Sequence, residues 1–306
     1  MAQAPAGTRR VALLLASNAA ATSKWSKALV AGLAERGWVE GRNLRLDFRY
    51  AEGDASRYRP LAVELLGQKP DVFVAGFESI AREATGLTKT VPVVFAIGFD
   101  PVGNGLVQSF ARPGGNVTGI SILSYELMPK RLALLKEAVP ALTRVAVLYR
   151  KGDINAARAI SALAEPAKSL RLTIVPSEVG DAAALEGSFE HIVRQKADGI
   201  MVVADPFFFQ HAARLAELAI KHRLALGYGA IEAATAGALF SYSPDFVAVY
   251  RLLATLIDKL LKGAKPTDIP VEQLNVYELV VNLKTARALG IKLPPSFLLQ
   301  ATQTIE

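Results

Sequence analysis

The reactive side chains of this sequence are few, and their spacing limits the chemistry open to it. There are three histidines and no cysteine. The missing cysteines exclude disulfides, thiolate nucleophiles and thiolate-bound metals. His191, His211 and His222 all fall in segments with helical apolar spacing, and none has a second histidine four residues away or a matching carboxylate pattern. The sequence therefore offers no zinc-ligand set. No Gly-x-x-x-x-Gly-Lys-Ser/Thr loop is present, and the first apolar run leads into Ser17-Asn18-Ala19-Ala20 without the glycines of a dinucleotide site. A Gly-x-Ser-x-Gly elbow is also missing. Asn116-Val117-Thr118 has the form of a glycosylation acceptor but sits inside a strand pattern. No cofactor is expected.

A different set of residues stands out by position. In parallel α/β sheets, ligands bind beyond the carboxyl ends of the strands, where helix N-termini present free N–H groups. At those ends the chain carries Ser17 and Asn18; Phe77, Glu78 and Ser79; Phe99 and Asp100; Tyr149; Asp205 and Phe207; Tyr228; and Tyr242. Rings, hydroxyls and carboxylates in this mixture suit a flat or amphipathic solute bearing a carboxylate or an amine. None of them pairs as a nucleophile with its base. Each also has a plainer reading. Phe207-Phe208-Phe209 reads as a helix start packing into a core, Tyr149 as a strand end, and Asp100-Pro101 and Asp205-Pro206 as turn formers.

The elements that must position these residues repeat along the chain. Val11–Leu15 is an apolar run of strand length, of the kind buried on both faces of a parallel sheet. Ala21-Thr22-Ser23 offers a cap for a helix whose apolar face is Trp25, Leu29 and Leu33, ended by Gly37. Strands are predicted at Leu44–Tyr50, Val72–Ala75, Val93–Ala96 and Asn116–Ile120, with helices at Arg57–Leu66, Ile80–Leu87 and Tyr125–Ala138. A second series follows Pro140. Its strands are Val145–Tyr149, Thr173–Val175, Gly199–Val203 and Leu224–Leu226, alternating with helices at Asn155–Leu170, Leu185–Gln195 and Phe209–His222, the first kinked at Pro166. A strong helix then begins at Pro244-Asp245, with Val249, Leu253, Leu256 and Leu260 on one face. The tail adds a strand-like Leu279–Val281 and a short helix Lys284–Leu289 capped by Gly290. Two successive α/β series of similar size predict two similar lobes, each a parallel sheet covered by helices on both faces.

Composition agrees with a chain of about two domains. Half the residues are hydrophobic (51%), and the apolar runs are far shorter than a membrane span. The net charge of +7 is scattered among acids with no run of like charges, so a nucleic-acid partner is not expected. Ala2-Gln3-Ala4 has the small-x-small form that ends an export leader. The expectation drawn from it is an exported, periplasmic protein whose leader has been removed.

Several segments together resemble a known family. They are Gly41-x-Asn43-Leu44, Tyr50-x-x-Gly53-Asp54, Lys69-Pro70-Asp71-Val72, Val91-Pro92-Val93-Val94-Phe95 and Asp100-Pro101-Val102-Gly103-x-Gly105-Leu106-Val107. Arg112-Pro113-Gly114-Gly115-Asn116-Val117-Thr118-Gly119 and the tail Glu278–Ala286 complete the series. From Arg10 onward the chain resembles the ABC-transporter substrate-binding family that includes tryptophan- and tyrosine-type binding proteins. The resemblance implies a type I periplasmic binding protein fold: two doubly wound parallel-sheet lobes, a ligand cleft and three hinge crossings. These crossings would lie near Gly119–Leu123, Ser241–Pro244 and Lys265–Pro270. The first lobe would comprise residues 8–120 and 244–265, and the second 121–243 and 266–306. It further implies that the loop before Ile80 offers amides to a ligand carboxylate and that Asp205 meets an amine. Where many members carry Thr-Pro or Thr-Ser, this chain has Phe77-Glu78, and Gly229-Ala230-Ile231-Glu232 departs from a more polar segment.

The function expected is that of a monomeric, non-enzymatic solute-binding protein serving the membrane permease of an ABC importer. Its partners are that permease and a small solute, aromatic or amino-acid-like, with a carboxylate. Two alternatives share the fold. A transcription-regulator core would need a helix-turn-helix segment ahead of the first strand. An α/β enzyme would use Asp100, Asp205 or Glu78 as acid or base.

Overall fold

The structure, a computed structural model, describes residues 7–122, 127–153, 156–274 and 276–306. The chain divides into two compact units, Met1–Leu123 with Phe246–Asn275, and Ser124–Asp245 with Val276–Glu306.

The first unit runs β1 (Arg9–Leu15), α1 (Ala19–Glu35), β2 (Leu44–Tyr50), α2 (Tyr58–Gly67), β3 (Val72–Ala75), α3 (Glu78–Leu87), β4 (Val93–Gly98) and β5 (Val117–Ser121). β1 is buried from Val11 onward and pairs in parallel with two neighbours, Val11 lying opposite both Leu46 and Val72. That double pairing explains its unbroken apolar run. β5 lies so close to β4 that a Cβ on Gly119 would clash with the Phe95 carbonyl oxygen.

The second unit continues with α4 (Met128–Ala138), β6 (Arg144–Arg150), α5 (Ala156–Ser161), α6 (Ala164–Ser169), β7 (Thr173–Val179), α7 (Ala184–Arg194) and β8 (Gly199–Val202). α8 (Pro206–Gln210), α9 (Ala212–Lys221), β9 (Ala225–Tyr228), α10 (Ile231–Ala236) and β10 (Phe240–Ser243) follow. The chain then returns to the first unit with α11 (Phe246–Leu261) and β11 (Glu272–Gln273). It ends in the second with β12 (Glu278–Asn282), α12 (Leu283–Leu289), α13 (Pro295–Leu298) and β13 (Gln303–Ile305).

α11 packs along α1. Trp25 lies 5.0 Å from the Phe246 ring and 5.8 Å from Tyr250, and a Cβ on Gly32 would come within 2.9 Å of Ala254 Cβ. Glycine at that position lets the two helices approach.

The strand orders are β11-β5-β4-β3-β1-β2 and β13-β12-β10-β9-β8-β6-β7. Both contain the doubly wound pattern in which the winding reverses beside the first strand of the series. The reversal falls between β1 and β3 in the first sheet and between β6 and β8 in the second. Such switch points open a crevice at the carboxyl ends of the two strands.

The structure departs from the sequence reading in specific places. α1 starts at Ala19 and is capped by Asn18, whose side chain accepts the Ala21 N–H at 2.8 Å, not by Ala21–Ser23. Of the expected helix Asn155–Leu170, Asn155 lies outside the described residues and the rest forms two helices that break ahead of Ala164. Pro166 sits in the first turn of α6, where its missing N–H costs nothing. The helix expected over Phe209–His222 begins earlier and divides at His211. Tyr125, the expected start of the helix before Pro140, also lies outside the described residues. β12 runs antiparallel to β10, with Phe240 opposite Val281, so the second sheet is not purely parallel.

Residues 266–274, assigned from sequence to the second lobe, fall in the first unit. There β11 pairs with β5, and the Thr118 hydroxyl donates to the Ile269 carbonyl at 2.8 Å. Among the described residues no helix is long and apolar enough to cross a membrane.

Candidate functional site

In the first lobe the expected residues fall at the ends of three consecutive strands, β4, β3 and β1. Ser17 follows β1, is 1% exposed, and its hydroxyl has no hydrogen-bond partner among the described residues. Phe77 is the residue ahead of α3, and its buried ring lies 5.6 Å from that of Phe99, which follows β4. Ser79, one residue into α3, is exposed. Asp100 closes a turn by accepting the Gly103 N–H at 3.0 Å.

Glu78, 4% exposed, is engaged with its own lobe. Oε2 accepts the main-chain N–H groups of Phe99 at 2.7 Å and Asp100 at 3.0 Å, while Oε1 accepts from the Asn104 amide. Burial pushes this carboxyl above its ordinary range, against the lowering influence of those three donors and of Arg82. Its negative charge is thus spent on holding the turn after β4. Asn104, the partner that completes this arrangement, carried no signal in the sequence.

In the second lobe Tyr149, Asp205, Tyr228 and Tyr242 lie on or beside four consecutive strands, β6, β8, β9 and β10. Asp205 caps α8 by accepting the Phe207 N–H at 2.7 Å. Burial raises its carboxyl to about 6. The Phe207 amide and Arg150 oppose the rise, and the like charge of Asp153 adds to it. Tyr149 and Arg150 end β6 on the other side of the switch point. The Arg150 guanidinium sits 4.1 Å from the centre of the Phe207 ring, and His211 lies 4.5 Å from the same ring. Burial first, and the Arg150 charge second, lower the His211 pKa. Arg150 and His211 were not foreseen as neighbours of the site, because cation–π contacts leave no spacing pattern in the chain.

Deeper in this lobe stands Arg131, 1% exposed on α4. It donates from Nε to the Tyr242 carbonyl at 2.9 Å, and a Cβ on Gly229 would meet its guanidinium at 2.8 Å. Burial drops its pKa to about 10, opposed by Tyr228, Tyr277 and Tyr242. The Tyr228 ring stacks 5.7 Å from Phe209, and its buried hydroxyl lacks a hydrogen-bond partner among the described residues. Tyr242 faces Tyr277 at 5.7 Å. Among the described residues there is no cluster of three or more His, Cys, Asp or Glu able to hold a metal ion.

Two doubly wound lobes, each with rings, hydroxyls and a carboxylate at its switch point, define a solute-binding architecture. A family profile described as ABC transporter substrate binding protein matches residues 10–305, and the chain belongs to that family. A tyrosine-binding protein of Clostridioides difficile (strain R20291) is 26% identical over 269 residues, covering 88% of this chain and 77% of that protein. A conserved domain protein from Vibrio cholerae superposes with a TM-score of 0.91 at 28% identity, over 97% of this chain and all (100%) of the other. An ABC domain from Streptococcus pneumonia, solved in complex with L-Trp, gives a TM-score of 0.89 at 26% identity, over 98% and 100%. The function these relationships support is solute binding for an ABC transporter.

Proposed function

We propose that this chain is the exported, periplasmic binding subunit of an ABC importer, acting as a non-enzymatic monomer. Its solute is a small aromatic carboxylate or aromatic amino acid. The observation that carries this reading is the second-lobe switch point. There the Arg150 guanidinium covers the Phe207 ring at 4.1 Å, beside the partly buried Asp205 carboxylate. Rings with one acidic group suit an aromatic solute bearing an amine. The relatives that bind tyrosine and L-Trp point to the same class. The solute is returned unchanged: among the described residues no nucleophile lies beside a general base at either edge. Binding selects a conformation that the permease reads.

A thermal-shift screen against amino acids, aromatic acids, sugars, nucleosides and purines tests the proposal. A ligand at about 100 times its Kd stabilises the folded chain by roughly 2.7 kcal/mol, a clear rise in Tm. A rise with aromatic acids, the compound recovered intact, supports the reading. A rise confined to sugars or nucleosides, or consumption of the compound, refutes it.

A further inference from the structure

We infer that the anionic group of the solute is taken in the first lobe by the N-terminus of α1 together with the Ser17 hydroxyl, and not by the N-terminus of α3. The inference rests on the solute-binding reading above and specifies which atoms meet the charge.

Both helices begin at the switch point between β1 and β3, and both would ordinarily attract an anion. They differ in what already occupies them. The first residue of α3 is Glu78, whose buried carboxylate is anchored to the Phe99 and Asp100 amides and to Asn104. A second anion arriving there meets a like charge in a setting of low polarity, where repulsion is weakly screened.

The first turn of α1 holds no acid. Asn18 satisfies the Ala21 N–H, and its carbonyl takes the Thr22 N–H at 3.3 Å. The amides of Ala19 and Ala20 have no acceptor among the described residues, and these exposed alanines carry only methyl groups to shield them. Immediately ahead stands Ser17, buried to 1% exposure, with its Oγ–H unused. The neighbouring chain brackets this turn. Gly53 donates its N–H to the Ala16 carbonyl at 2.7 Å, and Gly76 donates to Leu14 at 2.8 Å. One hydroxyl and two free amides match the two oxygens of a carboxylate. A buried donor without an acceptor is costly, and a solute oxyanion would relieve that cost on binding.

The test is an amide-resolved NMR titration of the full chain, labelled with nitrogen-15. The probes are L-tryptophan, L-tyrosine, phenylacetate and 4-hydroxybenzoate, each beside its primary amide. The expected result is that a carboxylate moves the Ala19 and Ala20 resonances, while its amide binds more weakly. Ser17→Ala should weaken the carboxylate by roughly tenfold, the scale of one charged hydrogen bond, and change binding of the amide little. Should Ser17→Ala fold poorly, the wild-type shift map decides alone. Shifts confined to Glu78 and Ser79, or acids and amides that bind alike, overturn this assignment while leaving aromatic-solute binding intact. No shift with any acid or amide overturns both.

Discussion

Glu78 Oε2 accepts the main-chain N–H of Phe99 at 2.7 Å, so the first residue of α3 shapes the turn that follows β4. The bond joins the ends of two adjacent strands. Glu78→Ala leaves two amides and the Asn104 side chain without their acceptor. A loss of about 2–4 kcal/mol in urea unfolding is expected, with Glu78→Gln costing less because one acceptor remains. A change under about 0.5 kcal/mol for the alanine variant would show that the carboxylate holds nothing.

The Asp205 carboxyl stands at about 6, against an ordinary 3.8, because burial disfavours its charge. Between about pH 4 and pH 6 the folded chain keeps a proton that the unfolded chain has released. This group therefore makes stability fall as pH rises through that window and stay level above it. Asp205→Asn keeps the α8 cap and abolishes the titration. The variant should gain about 1–2 kcal/mol on the wild type between pH 4 and pH 7, the incomplete burial of the site tempering the figure. Parallel stability–pH curves for the two proteins would refute the assignment.

Arg150 acts on three groups at once. Arg150→Ala should cost about 0.5–1 kcal/mol through the lost contact with Phe207. Removing its positive charge should also raise the pKa values of both Asp205 and His211, since that charge lowers each of them. Proton NMR titration of the His211 ring reads this directly. An unmoved titration would place Arg150 away from the histidine in solution.

Gly119 tests the close pairing of β4 and β5. Gly119→Ala drives a methyl group into the Phe95 carbonyl, which as backbone yields little. The expected loss is at least about 2 kcal/mol by thermal or urea unfolding. A neutral substitution would mean that the strands are more loosely paired than the structure has them.

Two substitutions separate the chemistry of the solute. Asp205→Ala should weaken an amine-bearing solute by about 1–3 kcal/mol. Phe77→Ala should weaken aromatic solutes most. Equal losses for aliphatic solutes in the Phe77 variant, measured by titration calorimetry, would exclude ring contact there.

The sheet strands were largely legible in the sequence. Leu44–Tyr50 and Val72–Ala75 match β2 and β3 residue for residue: β3, buried throughout, declares itself as a short apolar run, and the edge strand β2 by its alternation. What the chain concealed depends on distant partners. The direction of β12 is set by its pairing with β10, and Glu272-Gln273 becomes a strand only because β5 offers an open edge. The break at His211 lies within an amphipathic pattern that continues on both sides.

Strand-end logic named Ser17, Phe77 and Phe99 in one lobe and Asp205 and Tyr228 in the other, each beside the carboxyl end of a strand. It could not reveal that Glu78 turns back onto its own loop. Nor could it find Asn104, Arg131 or Arg150, single polar residues whose roles come from tertiary contact.

The central claim, reversible binding of an aromatic carboxylate-bearing solute, is met most directly by titration calorimetry of the purified chain with L-tryptophan, L-tyrosine and matched aromatic acids. The account predicts saturable one-to-one binding of at least one of them, with the compound recovered chemically unchanged. Absence of heat with every aromatic acid, or conversion of the compound to a product, would contradict it.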